Sequence, residues 1–415
     1  MKNLETLIQE LCPDGVEFVK LGDVGTFYGG LSGKSKADFT DGNAKFVTYM
    51  NVYSNPALNT DIKDFVKIEE GEKQNKVLYG DVLFTGSSET PNECGMTSVL
   101  TEKTEEDLYL NSFCFGYRFN DIDNVNPGFM KHLFRSHMLR KALAKTASGV
   151  TRFNVSKKKV ANIEIPLPPI EVQTEIVHIL DKFTSLEAEL EAELDCRKRQ
   201  YEYYRDKLLS FENVGGQEVK WKKMSEVCKN ICSGGTPLTS KAEYYDGNIP
   251  WLRTQEVDYC EIHSTLRNIT QLGLDNSSAK MIPANCVIVA MYGSTAAKVA
   301  INKIPLCTNQ ACCNLEIDED KALVRYVYQW ICKQYEVLKA MGEGSQHNIN
   351  AQKVKDFKIP IPSLEEQHRI VSILDRFESL TTSLQSGLPA EIAARRQQYE
   401  HYRDKLLTFK RKGAA

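Results

Sequence analysis

Side chains able to hydrogen-bond to nucleobase edges or to phosphates gather in short stretches in both halves of the 415-residue chain. The first half has Ser32 to Lys36, including Lys34, Ser35 and Lys36; Thr85 to Thr90, including Ser87 and Ser88; and Ser148 to Lys157, including Thr151, Arg152 and Asn154. The second half has Ser233 to Lys241, including Thr236 and Lys241; Arg253 with Gln255; Tyr292 to Lys298, including Ser294 and Lys298; and Ser345 to Asn350, including Gln346, His347 and Asn348. Arg and Lys can address guanine edges, and Asn and Gln adenine edges, in the major groove of a duplex, while Ser, Thr and Lys can hold phosphates. Polar loops also cover any protein surface. These residues are therefore candidate contacts to double-stranded DNA, set against the plain reading of solvated loops.

Motifs for catalysis are missing. The segment GGLSGKS, Gly29 to Ser35, resembles a phosphate-binding loop, but Gly29 stands one residue too close to the Gly33-Lys34-Ser35 end. No nucleophile elbow, zinc-protease helix or dinucleotide-binding glycine pattern occurs. The segments Asn55-Pro56-Ala57 and Asn126-Pro127-Gly128 lack the Asn-Pro-Pro-aromatic motif of amino-methyltransferases. His263 and His347 are isolated, and a lone histidine is more often a surface group than a base. Of the twelve cysteines none forms a CxxC pair, and Cys307, Cys312 and Cys313 lie in an apolar strand-like run, so they read as reduced core thiols. The chain is expected to need no cofactor and no metal of its own.

A net charge of -3 argues against a uniformly basic nucleic-acid binder without excluding local basic patches. Apolar runs are short and interrupted, and the N-terminus shows no signal-peptide pattern, so a cytoplasmic protein without a membrane partner is expected.

The elements that must position the polar loops occur twice. IPLPPIEVQTEIVHILDKFTSL, from Ile165, returns as IPIPSLEEQHRIVSILDRFESL, from Ile359, and each copy runs on to a second block, YEYYRDKLLSF or YEHYRDKLLTF. The prolines Pro166, Pro168, Pro360 and Pro362 stiffen an extended entry. Ser363 and Glu366 offer a capping box for the second helix. Apolar residues then recur at steps of three and four, from Ile176 through Leu180, Phe183, Leu186, Leu190 and Leu194 to Phe211, and from Ile370 through Leu374 and Phe377 to Phe409. Such a seam predicts paired helices about 60 Å long at 1.5 Å per residue. Connectivity requires them to be antiparallel, which would bring the acidic stretch Glu187 to Glu193 toward Arg395 and Arg396. The second copy carries four extra residues near Gln385 to Ala390, and Gly387 and Pro389 predict a bend or break there.

In the first globular segment a helix is expected over Leu4 to Leu11, strands over Phe46 to Asn51, Val82 to Thr85 and Phe113 to Phe119, and a helix over Pro127 to Thr146. The second segment repeats the first loosely: KADFTDGNAKFVTYMNV from Lys36 aligns with KAEYYDGNIPWLRTQEV from Lys241. The class is α+β, with two globular α/β domains separated by an antiparallel coiled coil of two long helices in a pseudo-two-fold repeat. Boundaries fall at 1–163 for the first globule with its N-terminal helix, 164–211 for the first long helix, 212–218 for a linker, 219–357 for the second globule and 358–410 for the second long helix.

Asn154-Val155-Ser156 and Asn348-Ile349-Asn350, the following I-x-I-P-x-P, the Q-x-x-I-V-x-I-L-D runs at Gln173 and Gln367 and the distal Y-R-D-K-L-L blocks together resemble the DNA specificity subunit of Type I restriction-modification systems. The resemblance covers nearly the whole chain and is specific in the helical repeats. It implies that each globule is a target recognition domain for one half of a split, asymmetric DNA site. It implies that the helices set the spacing and dock methyltransferase subunits, expected as two, through the repeated residues Gln173, Asp181, Tyr204 and Arg205 and their counterparts Gln367, Asp375, Tyr402 and Arg403. It also implies that methylation, ATP-driven translocation and cleavage belong to those subunits and to a restriction subunit, with no catalysis in this chain. The repeated LEAE from Leu186 resembles the four-residue spacer array of that family. A stand-alone DNA-binding regulator, with the coiled coil used for dimerisation, is the alternative.

Overall fold

The computed structural model describes residues 4–211, 219–343, 348–382 and 386–413. The proposed linker 212–218 and the candidates Gln346 and His347 lie outside the described residues. The chain forms two compact units, Met1–Glu191 with Glu391–Ala415, and Ala192–Ala390.

In the first unit a four-stranded antiparallel sheet has the order Gly25–Gly29, Cys114–Phe119, Val82–Thr85, Thr97–Val99. Because strand side chains alternate between faces, Val82 and Phe84 point to one core with Phe115, Tyr117 and Phe129, while Leu83 and Cys114 point to another with Val47, Leu108 and Leu110. A sheet buried on both faces explains the unbroken apolar run at Val82 to Phe84. A second sheet, containing the parallel pair Ala44–Val47 and Leu108–Leu110, packs on the latter face. Helices cover the former, and the first long helix adds Val172, Ile176 and Leu180, all fully enclosed. Burial of each such side chain stabilises by about 1.5–3 kcal/mol.

The second unit repeats this plan. A five-stranded sheet, Cys228–Ser233, Cys312–Ile317, Val287–Ala290, Val299–Asn302 and Glu261–Ile262, packs one face against the helix Val324–Lys333. Cys312 and Cys313 enter the two opposite cores of this sheet as small apolar groups. Among the described residues no cluster of His, Cys, Asp or Glu is arranged to hold a metal, and no helix is long and apolar enough to cross a membrane.

Several expected elements are shifted. The strand expected over Phe46 to Asn51 ends at Val47, because Thr48 caps a helix, Tyr49–Ser54, by accepting from the Asn51 amide at 3.3 Å. The helix expected over Pro127 to Thr146 is two helices, Pro127–Leu133 and His137–Ala144; Ser136 caps the second and interrupts the first. Leu4–Leu11 is helical as expected.

The first long helix is continuous over Ile170–Leu208. Its counterpart is two helices, Leu364–Thr382 and Leu388–Leu406, with Ser386 and Gly387 non-helical between them. Pro389 then occupies the second position of the later helix, where a missing N–H costs nothing. Ser363 makes its half of the capping box at 3.2 Å, but the Glu366 carboxylate turns to Arg369 instead. Within the first unit the two helices run antiparallel: Phe183 stacks on Tyr402 at 5.2 Å, and Arg396 bonds to Glu187 at 2.8 Å and Glu191 at 3.2 Å. Arg395 pairs with Glu391 on its own helix rather than with the acidic stretch. The second unit contains the mirror contact, Tyr204 stacked on Phe377 at 5.4 Å. Leu186, expected in the seam, is 45% exposed.

Candidate nucleic-acid interface

Three segments of the first unit converge on an open cleft of about 650 Å³, lined by Tyr49, Met50, Tyr53, Ser87, Ser88, Glu89, Glu93, Thr151 and Arg152. The helix that Thr48 starts supplies the aromatic wall. The strand Ser87–Ser88 pairs with Phe153–Val155, in register Ser87 with Asn154, and this carries Thr151 and Arg152 to the cleft. Cross-links fix the three: Tyr49 donates its hydroxyl to the Ser87 carbonyl at 2.8 Å, Arg152 Nε donates to Ser87 Oγ at 3.0 Å, and Val155 N–H donates to the Gly86 carbonyl at 2.9 Å. Hydrogen bonds from Thr90, Tyr53 and Ser88 hold the Glu93 carboxyl below the usual carboxylate range. Ser87, Ser88, Thr151 and Arg152 are thus brought together, with Asn154 exposed beside them.

The cluster at Lys34 is not part of this cleft. Lys34 is 8% exposed and ion-paired with Glu72, whose carboxyl the hydrogen bonds from Lys34 and Gln74 hold down at about 2. Lys34 is thus engaged by Glu72 within the chain and does not line this cleft. Ser35 is occupied as the cap of the turn Lys36–Phe39, bonding Asp38 at 2.8 Å, whereas Lys36 is exposed and has no side-chain partner among the described residues.

The second unit converges the equivalent segments. Thr295 Oγ1 donates to the Thr254 carbonyl at 2.8 Å, Gly293 N–H to Asn348 Oδ1 at 3.4 Å, and Ile349 N–H to the Met291 carbonyl at 2.8 Å. The last bond is the counterpart of Val155 to Gly86. Gln255 and Ser294 are exposed on the two turns. Arg253 Nε is buried with no hydrogen-bond partner among the described residues, 3.8 Å from Glu256. Lys298 is committed to Asp258 at 2.6 Å, Thr236 bonds to Gln310, and Lys241 lies 3.4 Å from Glu243 at the surface. The motif positions Ser156 and Asn350 are helix caps, accepting from Lys159 and Lys353, which leaves Asn154 and Asn348 as the site-facing members of each motif.

A model of the Type I restriction modification DNA specificity domain matches this chain twice, over residues 13–195 and 217–394. The chain belongs to this family. It is 42% identical over 268 residues to the EcoR124I/EcoR124II specificity subunit of Escherichia coli, covering 62% of this chain and 64% of that one, less than two thirds of its length. A type I restriction enzyme specificity subunit of Haemophilus influenzae is 33% identical over 307 residues, covering 70% and 74%. A solved chain of a type I R-M system superimposes with a TM-score of 0.63 at 18% identity, covering 95% of this chain and 97% of that one. The HsdS subunit of Thermoanaerobacter tengcongensis does so with 0.51 at 18% identity, covering 96% and 97%. These two likenesses are of fold.

For a member of the specificity family, the repeated helix residues divide into two kinds. Gln173 and Gln367 are fully buried. Gln173 accepts from Asn126 N–H at 2.9 Å and donates to the carbonyls of Asn124 at 3.0 Å and Pro168 at 2.7 Å. Gln367 accepts from Leu323 N–H at 2.9 Å and donates to Lys321 at 3.3 Å and Pro362 at 3.0 Å. Asn126 and Leu323 are the cap residues of the helices Pro127–Leu133 and Val324–Lys333, so each glutamine ties a long helix to its own globule. This corrects the assignment of both to subunit docking: a side chain without exposure cannot meet a partner.

Asp181 and Asp375 are also engaged inside the chain, Asp181 by Lys131 at 2.6 Å and His132 at 2.7 Å, Asp375 by Arg325 at 2.6 Å, while both keep partial exposure. Burial raises the Asp181 pKa, but the hydrogen bonds from His132 and Lys131 outweigh it and bring the carboxyl to about 2. Burial pushes the His132 imidazole down, which makes it the neutral ring that donates Nε2–H to Asp181 and accepts the Tyr399 hydroxyl at Nδ1, 2.9 Å away. Arg205 and Arg403 lie over Tyr201 and Tyr399 and bond the adjacent Asp206 and Asp404. Tyr204 and Tyr402 remain 40% exposed.

Sequence reasoning misses Tyr49, Met50 and Tyr53 because the pattern there predicts a strand, and it misses Phe113 because it places that residue inside a strand that begins only at Cys114. The signal for a helix start was Thr48 with Asn51 three residues on.

Proposed function

We propose that the chain is the DNA-reading subunit of a Type I restriction-modification complex. Each globule reads one half of a split, asymmetric duplex target, and the helices set the separation and dock two methyltransferase subunits. The observation that carries this reading is that the same three segments converge in each unit through matched backbone bonds, Val155 to Gly86 and Ile349 to Met291, yet present different side chains. One frame with two chemistries suits two unlike half-sites.

Docking falls foremost to Tyr204 and Tyr402, which the two helical repeats share and leave exposed, with the part-exposed Asp181 and Asp375 and the mostly covered Arg205 and Arg403 in lesser roles. Exposed tyrosines are favoured anchors at protein interfaces. Methylation, translocation and cleavage are assigned to the methyltransferase and restriction subunits, in keeping with a sequence that carries none of their motifs.

Exchanging residues 20–160 for those of another family member tests the reading. Sequencing of methylated adenines in cells carrying the complex should show one half-site changed and the other kept. A change in both halves, or in neither, refutes independent recognition.

A further inference from the structure

We propose that Arg152 reads a guanine in the half-site of the first unit. The proposal rests on the DNA-reading function above and adds a base identity to it. Three features set this side chain apart.

First, its orientation is fixed. Nε donates to Ser87 Oγ at 3.0 Å, and the guanidinium carbon lies 5.7 Å from the centre of the Phe113 ring. That ring is itself held: Gly86 N–H donates to the Phe113 carbonyl at 2.8 Å, and Phe113 N–H donates to Asn111 Oδ1 at 2.8 Å. Phe113 is 60% exposed, an aromatic platform open to solvent except where the guanidinium covers it.

Second, the two terminal amino groups of Arg152 have no hydrogen-bond or ion-pair partner among the described residues. With Nε used, they form a planar fork of two parallel donors. Guanine O6 and N7 are the base-edge acceptors that match this fork.

Third, the surroundings suit a base rather than a phosphate. Glu89 and Glu93 line the same cleft and would repel a phosphate, whereas a carboxylate can accept from the amino group of cytosine. Tyr49, Tyr53 and the exposed Met50 supply apolar surface for a base edge or thymine methyl.

The test uses the assembled complex with Arg152→Ala and Arg152→Lys, mapped by sequencing of methylated adenines. One position of the first half-site, guanine in the wild type, should become degenerate in both variants, while the second half-site and the spacer stay unchanged. Lysine keeps the charge and stem but not the fork, so it serves if the alanine variant fails to fold. In titrations of DNA duplexes, replacing that G·C pair by A·T should weaken the wild type by roughly 10- to 100-fold and the variants by much less.

An unchanged motif in Arg152→Lys overturns the proposal, as does relaxation at a base other than guanine. So does uniform weakening on all duplexes with a salt slope reduced by about one, the mark of a phosphate contact. If the residue 20–160 exchange still changes the first half-site, such a result rejects only the arginine assignment. If that exchange changes nothing, the DNA-reading function itself fails.

Discussion

Replacing Gln173 by leucine separates a structural staple from a docking residue. Leucine fills much the same volume but bonds to none of the three backbone groups that Gln173 serves, the Asn126 N–H and the carbonyls of Asn124 and Pro168. A buried group that loses its partner costs about 1–3 kcal/mol. Taking the lower end for each, because leucine gains some apolar burial, the unit should lose about 3 kcal/mol. The unit comprises Met1–Glu191 with Glu391–Ala415, a size at which each kcal/mol lowers Tm by roughly 2–4 °C. Calorimetry on the full chain should therefore show the first unit's transition about 6–12 °C lower. Gln367→Leu should lower the other transition by a similar amount. Below the new transition, Gln173→Leu should still assemble with methyltransferase subunits. An unchanged Tm accompanied by lost assembly would sink the staple assignment and restore the docking one.

Two further outcomes follow from the helices. Deleting Leu190 to Glu193 shortens a continuous helix by about 6 Å and rotates its end by roughly 40°; methylation mapping should show a changed spacer between intact half-sites, and an unchanged spacer rejects the proposal that the helices set the separation. His132→Gln copies the second unit, where Gln329 accepts from Tyr201 and donates to Glu378. Burial lowers the His132 pKa against the pull of Asp181, with Lys131 and Arg403 nearby. The unfolded chain therefore takes up the proton first. Wild-type stability should be full above the ordinary histidine pKa and decline as pH falls below it, by at most about 1.4 kcal/mol per pH unit from this group. Asp181, held at about 2, keeps its contribution until far lower pH. Urea midpoints at pH 7.5 and 5.5 should show a smaller drop in His132→Gln, and an equal drop would remove His132 as the cause.

What the sequence by itself determined is what depends on neighbours along the chain. The duplicated blocks announced two like units, Gly387 and Pro389 announced the interruption before Leu388, and the polar stretches of the two halves contained Ser87, Ser88, Thr151, Arg152 and Asn348, which the fold assembles. Helix periodicity, proline stereochemistry and motif spacing are local properties, so they are legible without a fold.

What only the tertiary structure decided is who faces whom across long separations. Gln173 and Tyr204 belong to one repeated pattern, yet one is sealed against Asn126 and the other is left exposed. Lys34 and Arg152 are both cations in polar loops, yet Glu72 neutralises the first, while the second, beside Phe113, keeps its two terminal amino groups without a partner among the described residues. Leu186 follows the apolar periodicity and still faces outward. Periodicity names a helix face but not how much of that face a partner covers, and a loop's composition does not reveal which acid folds back upon it. Those outcomes depend on packing among residues tens to hundreds of positions apart.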